Sequence, residues 1–120
     1  MKIAVTASGN TLDSPVDQRF GRAPCFFLVD SASGAFEVHD NTQNLNAAQG
    51  AGIQAAETVS RLGAEVIITG HCGPKAFRAL RGAGIPVMVG ATGTVAEAIQ
   101  AFRSGKLKPA ESADVEGHWA

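Results

Sequence analysis

Between Gly70 and Phe77 the chain places an imidazole, a thiol and an ammonium group close together, on His71, Cys72 and Lys75, with Gly73 and Pro74 between them. Imidazole and thiolate suit copper, zinc or iron. Gly73 permits close backbone approach, and Pro74 fits the first position of a helix whose N-terminus, together with Lys75, favours an anion. Two side chains do not complete a tetrahedral metal site. His71 and Cys72 can therefore be read as direct metal ligands, as weak donors to a sulfide-rich anion, or as a solvated loop residue beside a small turn residue, and spacing alone leaves these open.

A second cationic cluster lies in Arg19-Phe20-Gly21-Arg22, where two guanidinium groups around a glycine can clamp an anion. Asp13 and Asp17, in the same loop, are expected to pair with those arginines, with a carboxylate metal site as the weaker reading. Cys25 sits between aromatic residues on a strand and reads as core, and His39 reads as a strand residue rather than a base. Gly50 and Gly52 do not continue into a dinucleotide-binding loop, because Ala55 stands where the third glycine belongs, and Gly73-Pro74-Lys75 is not a phosphate-loop sequence. Neither Gly-x-Ser-x-Gly nor His-Glu-x-x-His occurs, and β-strand residues 2–7 carry no acidic group for metal-assisted nuclease chemistry. Catalysis finds no support in these patterns.

Composition sets the outer limits. The chain has 120 residues, 45% of them hydrophobic and 18% charged, which suits one soluble domain with its own core. A formal net charge of −1 gives no general field for nucleic acid, so an anion site must be a local concentration of positive charge. Two cysteines far apart, with no C-x-x-C pair, suggest a reducing compartment. The short apolar run before Ser8 reads as neither a signal-peptide core nor a membrane span, so the expectation is a cytoplasmic, monomeric protein that engages no membrane.

The elements that must position these residues follow from periodicity. Strands are predicted over 2–7, 24–30, 35–40, 64–70 and 85–89, the second and third joined as a hairpin through Ser31-Ala32-Ser33-Gly34. Residues 41–49 read as loop. Helices are predicted over 50–62, 75–83 and from Val95 to about Gly105, the last opened by a capping box of Thr94 and Glu97. Strand, helix, strand, helix in succession implies parallel crossovers, so the domain, 1–105, is an α/β fold with a mixed sheet, and 106–120, ending in Gly117-His118-Trp119-Ala120, is a tail. Ligands of such sheets bind beyond the carboxyl ends of the strands. Three glycine-bearing ends are expected to line one crevice: Ser8-Gly9-Asn10, Gly70-His71-Cys72-Gly73 and Gly90-Ala91-Thr92-Gly93.

Leu12-Asp13-Ser14-Pro15-Val16-Asp17, Arg19-Phe20-Gly21-Arg22-Ala23-Pro24, Gly50-Ala51-Gly52, the run from Gly70 to Phe77 and Gly84-Ile85-Pro86-Val87 together resemble the dinitrogenase iron-molybdenum cofactor biosynthesis family. The resemblance spans nearly the whole chain in order, and is greatest to the small standalone members called orange proteins. It implies a ribonuclease-H-like α/β/α fold with a mixed, mostly parallel five-stranded sheet and no nuclease activity. It also implies binding or carriage of an anionic metal-sulfur cluster, a mixed molybdenum-copper sulfide cluster first and an iron-molybdenum cofactor or its iron-sulfur precursor second, held largely by noncovalent contacts. P-loop ATPases or cluster-assembly proteins are the partners it suggests. On that reading Arg19, Arg22 and Lys75 supply charge, Gly73 and neighbouring amides supply hydrogen bonds, Phe20 and Phe77 form apolar walls, His71 and Cys72 face the cluster, and Ser8, Asn10, Gly70 and Thr92 line the strand ends. The rival readings are an enzyme holding a phosphorylated small molecule with His71 and Lys75, and a protein-interaction module.

Overall fold

The computed structural model describes residues 1–41 and 50–111. Five strands, β1 (Lys2–Ala7), β2 (Cys25–Asp30), β3 (Phe36–Asp40), β4 (Val66–Ile68) and β5 (Val87–Met88), form one sheet in the order β3-β2-β1-β4-β5. β1 pairs antiparallel with β2 and β2 with β3, whereas β1 pairs parallel with β4 and β4 with β5. Every strand but β2 thus runs the same way, which is the mixed, mostly parallel sheet expected.

Alternation along the strands splits the core in two. Ala4, Phe26, Leu28, Ile67 and Val87 face α1 (Ala51–Arg61) and α2 (Pro74–Gly82), meeting Ala55, Val59, Ala76 and Leu80. Ile3, Val5, Phe27, Val29, Val66 and Ile68 face α3 (Val95–Arg103), meeting Val95, Ala98 and Ile99. The domain is therefore a three-layer α/β/α sandwich. Cys25, Phe27 and Val29 share the α3 face, as their spacing predicts.

α3 begins with the predicted capping box: the Glu97 amide donates to Thr94 Oγ1 at 3.1 Å and the Thr94 amide donates to Glu97 Oε1 at 3.0 Å. β4 and β5 are shorter than the apolar runs suggested. Their ladder continues beyond the strand bounds, through Ile67 N to Pro86 O and Thr69 N to Met88 O, both at 3.0 Å, but Pro86 has no N–H to return. Residues beyond Gly105 do not simply leave the domain: the Ala110 amide donates to Val87 O at 2.8 Å and Pro109 bridges Met88, covering the outer edge of β5. Of the segments read as loop and tail, 42–49 and 112–120 lie outside the described residues. Among the described residues no helix is long and apolar enough to cross a membrane.

Thr94→Ala removes one half of the box and orphans the Glu97 amide. Chemical denaturation is expected to show a loss of about 1 kcal/mol, and Thr94→Ser a much smaller one.

Candidate functional site

The loop between β1 and β2 does not hang free; it is threaded across the carboxyl ends of the sheet. The Ser8 amide donates to Pro15 O at 3.0 Å, the Asp17 amide to Thr6 O at 2.9 Å, the Val16 amide to Gly93 O at 2.9 Å and the Phe20 amide to His71 O at 3.3 Å. Arg19 and His71 form an isolated parallel bridge, which sets the arginine loop beside the His71 turn. Two buried hydroxyls lie beneath. Thr6 Oγ1 is 2.7 Å from Asp17 O and 2.8 Å from Thr69 Oγ1. Thr6 thus has two acceptors, the Asp17 carbonyl and the Thr69 hydroxyl, for its one proton.

This threading runs across the three strand ends where the crevice was expected. Gln18 Nε2 donates to Ala91 O at 3.2 Å, and a Cβ added at Gly70 would lie 2.7 Å from Gln18 Cα, far inside contact distance. Gly70 is therefore glycine because the Gln18 backbone occupies its side-chain space. Gly70 and Gly90 are joined directly, by the Gly90 amide to Gly70 O at 2.8 Å.

Several site residues stand elsewhere than expected. Phe20 is fully buried and packs on Phe26 with ring centroids 5.9 Å apart, so it is a core anchor rather than a wall. Phe77 is also buried in that core, with the Arg81 guanidinium 5.8 Å from its ring. Cys72 is sealed at 0% exposure in the same cluster and does not face solvent beside His71. Its small apolar thiol fits a core position better than a metal-facing one. The expected pairing of aspartates with arginines is replaced by another use of Asp17: Oδ2 accepts from Ser8 Oγ at 3.1 Å and Oδ1 accepts from the Arg19 amide at 3.0 Å. Ser8 is thus engaged by Asp17, while Asn10 and Thr92 are exposed at the turns after β1 and β5.

Arg19 and Lys75 are exposed, Arg22 and His71 half-buried. Lys75 follows Pro74 in the first turn of α2, whose N-cap is Gly73. α1 starts from Gly50, held in the left-handed region at φ 77°. Neither helix has a side-chain cap or an acidic residue in its first turn, in contrast to the boxed α3. Because both helices cross back from parallel strands, both N-termini lie at the carboxyl end of the sheet, on the same face as Phe20 and the 3-10 turn Phe20–Arg22, with Ala51, Gly52 and Gly73 buried and Lys75 exposed. Among the described residues no group of three or more His, Cys, Asp and Glu side chains could hold a metal ion. The side chains gathered here among the described residues are cations and an imidazole beside two helix starts, not a metal-ligand set.

Gln18, Thr6, Thr69 and the acceptor role of Asp17 were not visible in the sequence. A hint was available: Thr6 and Thr69 are polar residues at the carboxyl ends of two otherwise apolar strands.

Comparison with known proteins agrees over the whole domain. The profile of the family described as dinitrogenase iron-molybdenum cofactor matches residues 1–105. The apo form of the orange protein from Desulfovibrio gigas is 45% identical, with a TM-score of 0.93 over 95% of this chain and 96% of that one. A Thermotoga protein described as a NifB protein is 36% identical, with a TM-score of 0.84 over 97% and 98% of the two chains. An uncharacterized protein of Methanocaldococcus jannaschii is 34% identical over 114 residues, 92% of each chain.

Two measurements probe this framework. Hydrogen bonds to a charged acceptor are worth about 1.5–3 kcal/mol, so Asp17→Ala is expected to speed exchange of the Arg19 amide about tenfold or more, while Asp17→Asn, which keeps an acceptor oxygen, changes it less. The Cys25 thiol donates to Gly9 O at 2.9 Å, and burial, then the charges of Asp40 and Asp17, raise it above its ordinary 9.0. The folded state then holds this proton more tightly than the unfolded chain. Stability from this group is complete below pH 9.0 and is lost as pH rises towards the raised value. Unfolding free energy is expected to fall more steeply above that pH than in Cys25→Ala.

Proposed function

This chain belongs to the dinitrogenase iron-molybdenum cofactor family, and from that premise we propose that it is a noncatalytic holder or carrier of an anionic molybdenum-containing sulfide cluster. The cargo we assign first is a mixed molybdenum-copper sulfide; an iron-molybdenum cofactor or its precursor is second. The observation that carries the reading is the pair of glycine-capped, side-chain-uncapped N-termini of α1 and α2 on one face, flanked by Arg19, Arg22, His71 and Lys75.

The physical argument is one of matching. A polynuclear sulfide anion is large and soft, with charge spread over many sulfur atoms, so several amides and cations suit it better than one strong ligand. Arg19 and Lys75, both exposed, supply charge without a fixed contact geometry. His71 adds a nitrogen donor beside them. The buried Cys72 stays a structural residue, so no thiolate-metal bond forms while the core is intact. Among the described residues no histidine is set beside a hydroxyl or thiol on this surface, and the one hydroxyl on a carboxylate, Ser8 on Asp17, belongs to the turn that fixes Arg19, which is why we favour carriage over chemistry.

Anaerobic reconstitution with tetrathiomolybdate and copper, followed by gel filtration, tests the reading. Wild type is expected to retain a visible chromophore with molybdenum and copper in it. Arg19→Ala and Lys75→Ala are expected to retain less, with the deficit shrinking as salt screens the charges they removed. Cys72→Ala is expected to retain as much as wild type, once allowance is made for its lower stability. A wild-type protein that elutes colourless and metal-free sinks the proposal. Retention that depends on Cys72 but not on Arg19 or Lys75 sinks its noncovalent part.

A further inference from the structure

Asp17 is a half-buried carboxylate two residues before the exposed Arg19. By charge alone it opposes an anion at that arginine, yet its amide, its carbonyl and both carboxylate oxygens are all engaged in the threaded loop. The amide donates to Thr6 O at 2.9 Å and the carbonyl accepts from Thr6 Oγ1 at 2.7 Å. Those two bonds tie the loop to β1 through the backbone and need no carboxylate. The side chain is used differently. Oδ2 accepts from Ser8 Oγ at 3.1 Å, and Oδ1 accepts from the Arg19 amide at 3.0 Å, closing a short side-chain turn onto the second residue ahead. The next amide, that of Phe20, donates to His71 O at 3.3 Å, and the Phe20 ring is fully buried. The Arg19 backbone is therefore held on both sides, by the carboxylate before it and by the buried ring after it.

We propose that Asp17 is a positioning residue for Arg19: its carboxylate fixes the backbone point from which the guanidinium reaches the anion, and this outweighs the charge it brings. The inference rests on the carrier reading above, because it takes Arg19 to meet the cargo. Two effects of opposite sign are at work. A nearby carboxylate repels an anion, an effect that salt screens. A loosened Arg19 backbone must be ordered again when the anion binds, and that ordering opposes binding. The second effect reaches the anion only through the guanidinium, so it disappears when Arg19 is removed, whereas the repulsion does not. Asparagine separates the two: its oxygen still accepts from the Arg19 amide and its Nδ2 can donate to Ser8 Oγ, without the charge. Glutamate keeps the charge, but its extra methylene does not fit the turn that aspartate closes.

Anaerobic titration of the full chain with tetrathiomolybdate and copper, followed by visible absorbance, tests this, with chemical denaturation to show that each variant folds. Asp17→Ala and Asp17→Glu are expected to weaken binding about threefold to tenfold, and Asp17→Asn to bind at least as tightly as wild type. In an Arg19→Ala background the loss on Asp17→Ala is expected to vanish. Asp17→Ala that binds as tightly as wild type, or tighter, overturns the inference. So does Asp17→Asn that falls as far as Asp17→Ala, or a loss that persists undiminished without Arg19, which would make the carboxylate a structural residue only. If Asp17→Ala does not fold, Asp17→Glu against Asp17→Asn carries the same comparison. Wild type that takes up no chromophore overturns the carrier reading and this inference with it. Wild type that binds while the Asp17 variants match it overturns this inference alone.

Discussion

The seam between residues 15–20 and the carboxyl ends of the sheet is the constraint on which the rest of this molecule depends. Thr6, Thr69 and the Asp17 carbonyl form a buried hydrogen-bonded chain, and the amides of Val16, Asp17 and Phe20 are spent on Gly93, Thr6 and His71. Unpaired, those buried polar groups would each cost about 1–3 kcal/mol. Paired, they bind a long loop to three strand ends at once. Phe20 then drops into the core as an anchor and Arg19 is left at the surface beside His71.

On the proposed function, that seam bears on where the anion would sit. In an open α/β sheet the default position is the crevice beyond the strand ends; here the Gln18 backbone lies across Gly70 and its side chain donates to Ala91 O. On the α1 and α2 face two helices begin without side-chain caps and without an acidic residue in the first turn. α3, on the other face, is capped by its own Thr94 and Glu97 and has an acidic side chain in its first turn. The asymmetry between the faces, more than any one side chain, is what distinguishes the site.

Much of the fold was legible because it is written in local periodicity. Unbroken apolar runs placed β2 and β4, and Thr94 with Glu97 placed the start of α3 to the residue. The cationic residues and the glycine-capped start of α2 were legible too, through their chemistry. Burial within loops was not. Phe20 and Cys72 lie in segments with no repeating pattern, and their fate is set by which core the loop folds over, a tertiary fact. Asp17 illustrates the same limit: its spacing to Arg19 suggested a charge pair, yet its oxygens accept from the Arg19 amide and the Ser8 hydroxyl, a short-range turn pattern that competes with pairing to a long, mobile guanidinium.

The central claim is that an anionic sulfide cluster sits against the uncapped helix starts and not in the strand-end crevice. Amide chemical-shift mapping of isotope-labelled protein, titrated anaerobically with tetrathiomolybdate and copper, tests it most directly. The largest shifts are expected on Arg19, on His71, Cys72, Gly73 and Lys75 and on Ala51 and Gly52, with Thr94 to Glu97 nearly unmoved. Shifts centred instead on Gly90 to Glu97, or spread evenly over the domain, would contradict it.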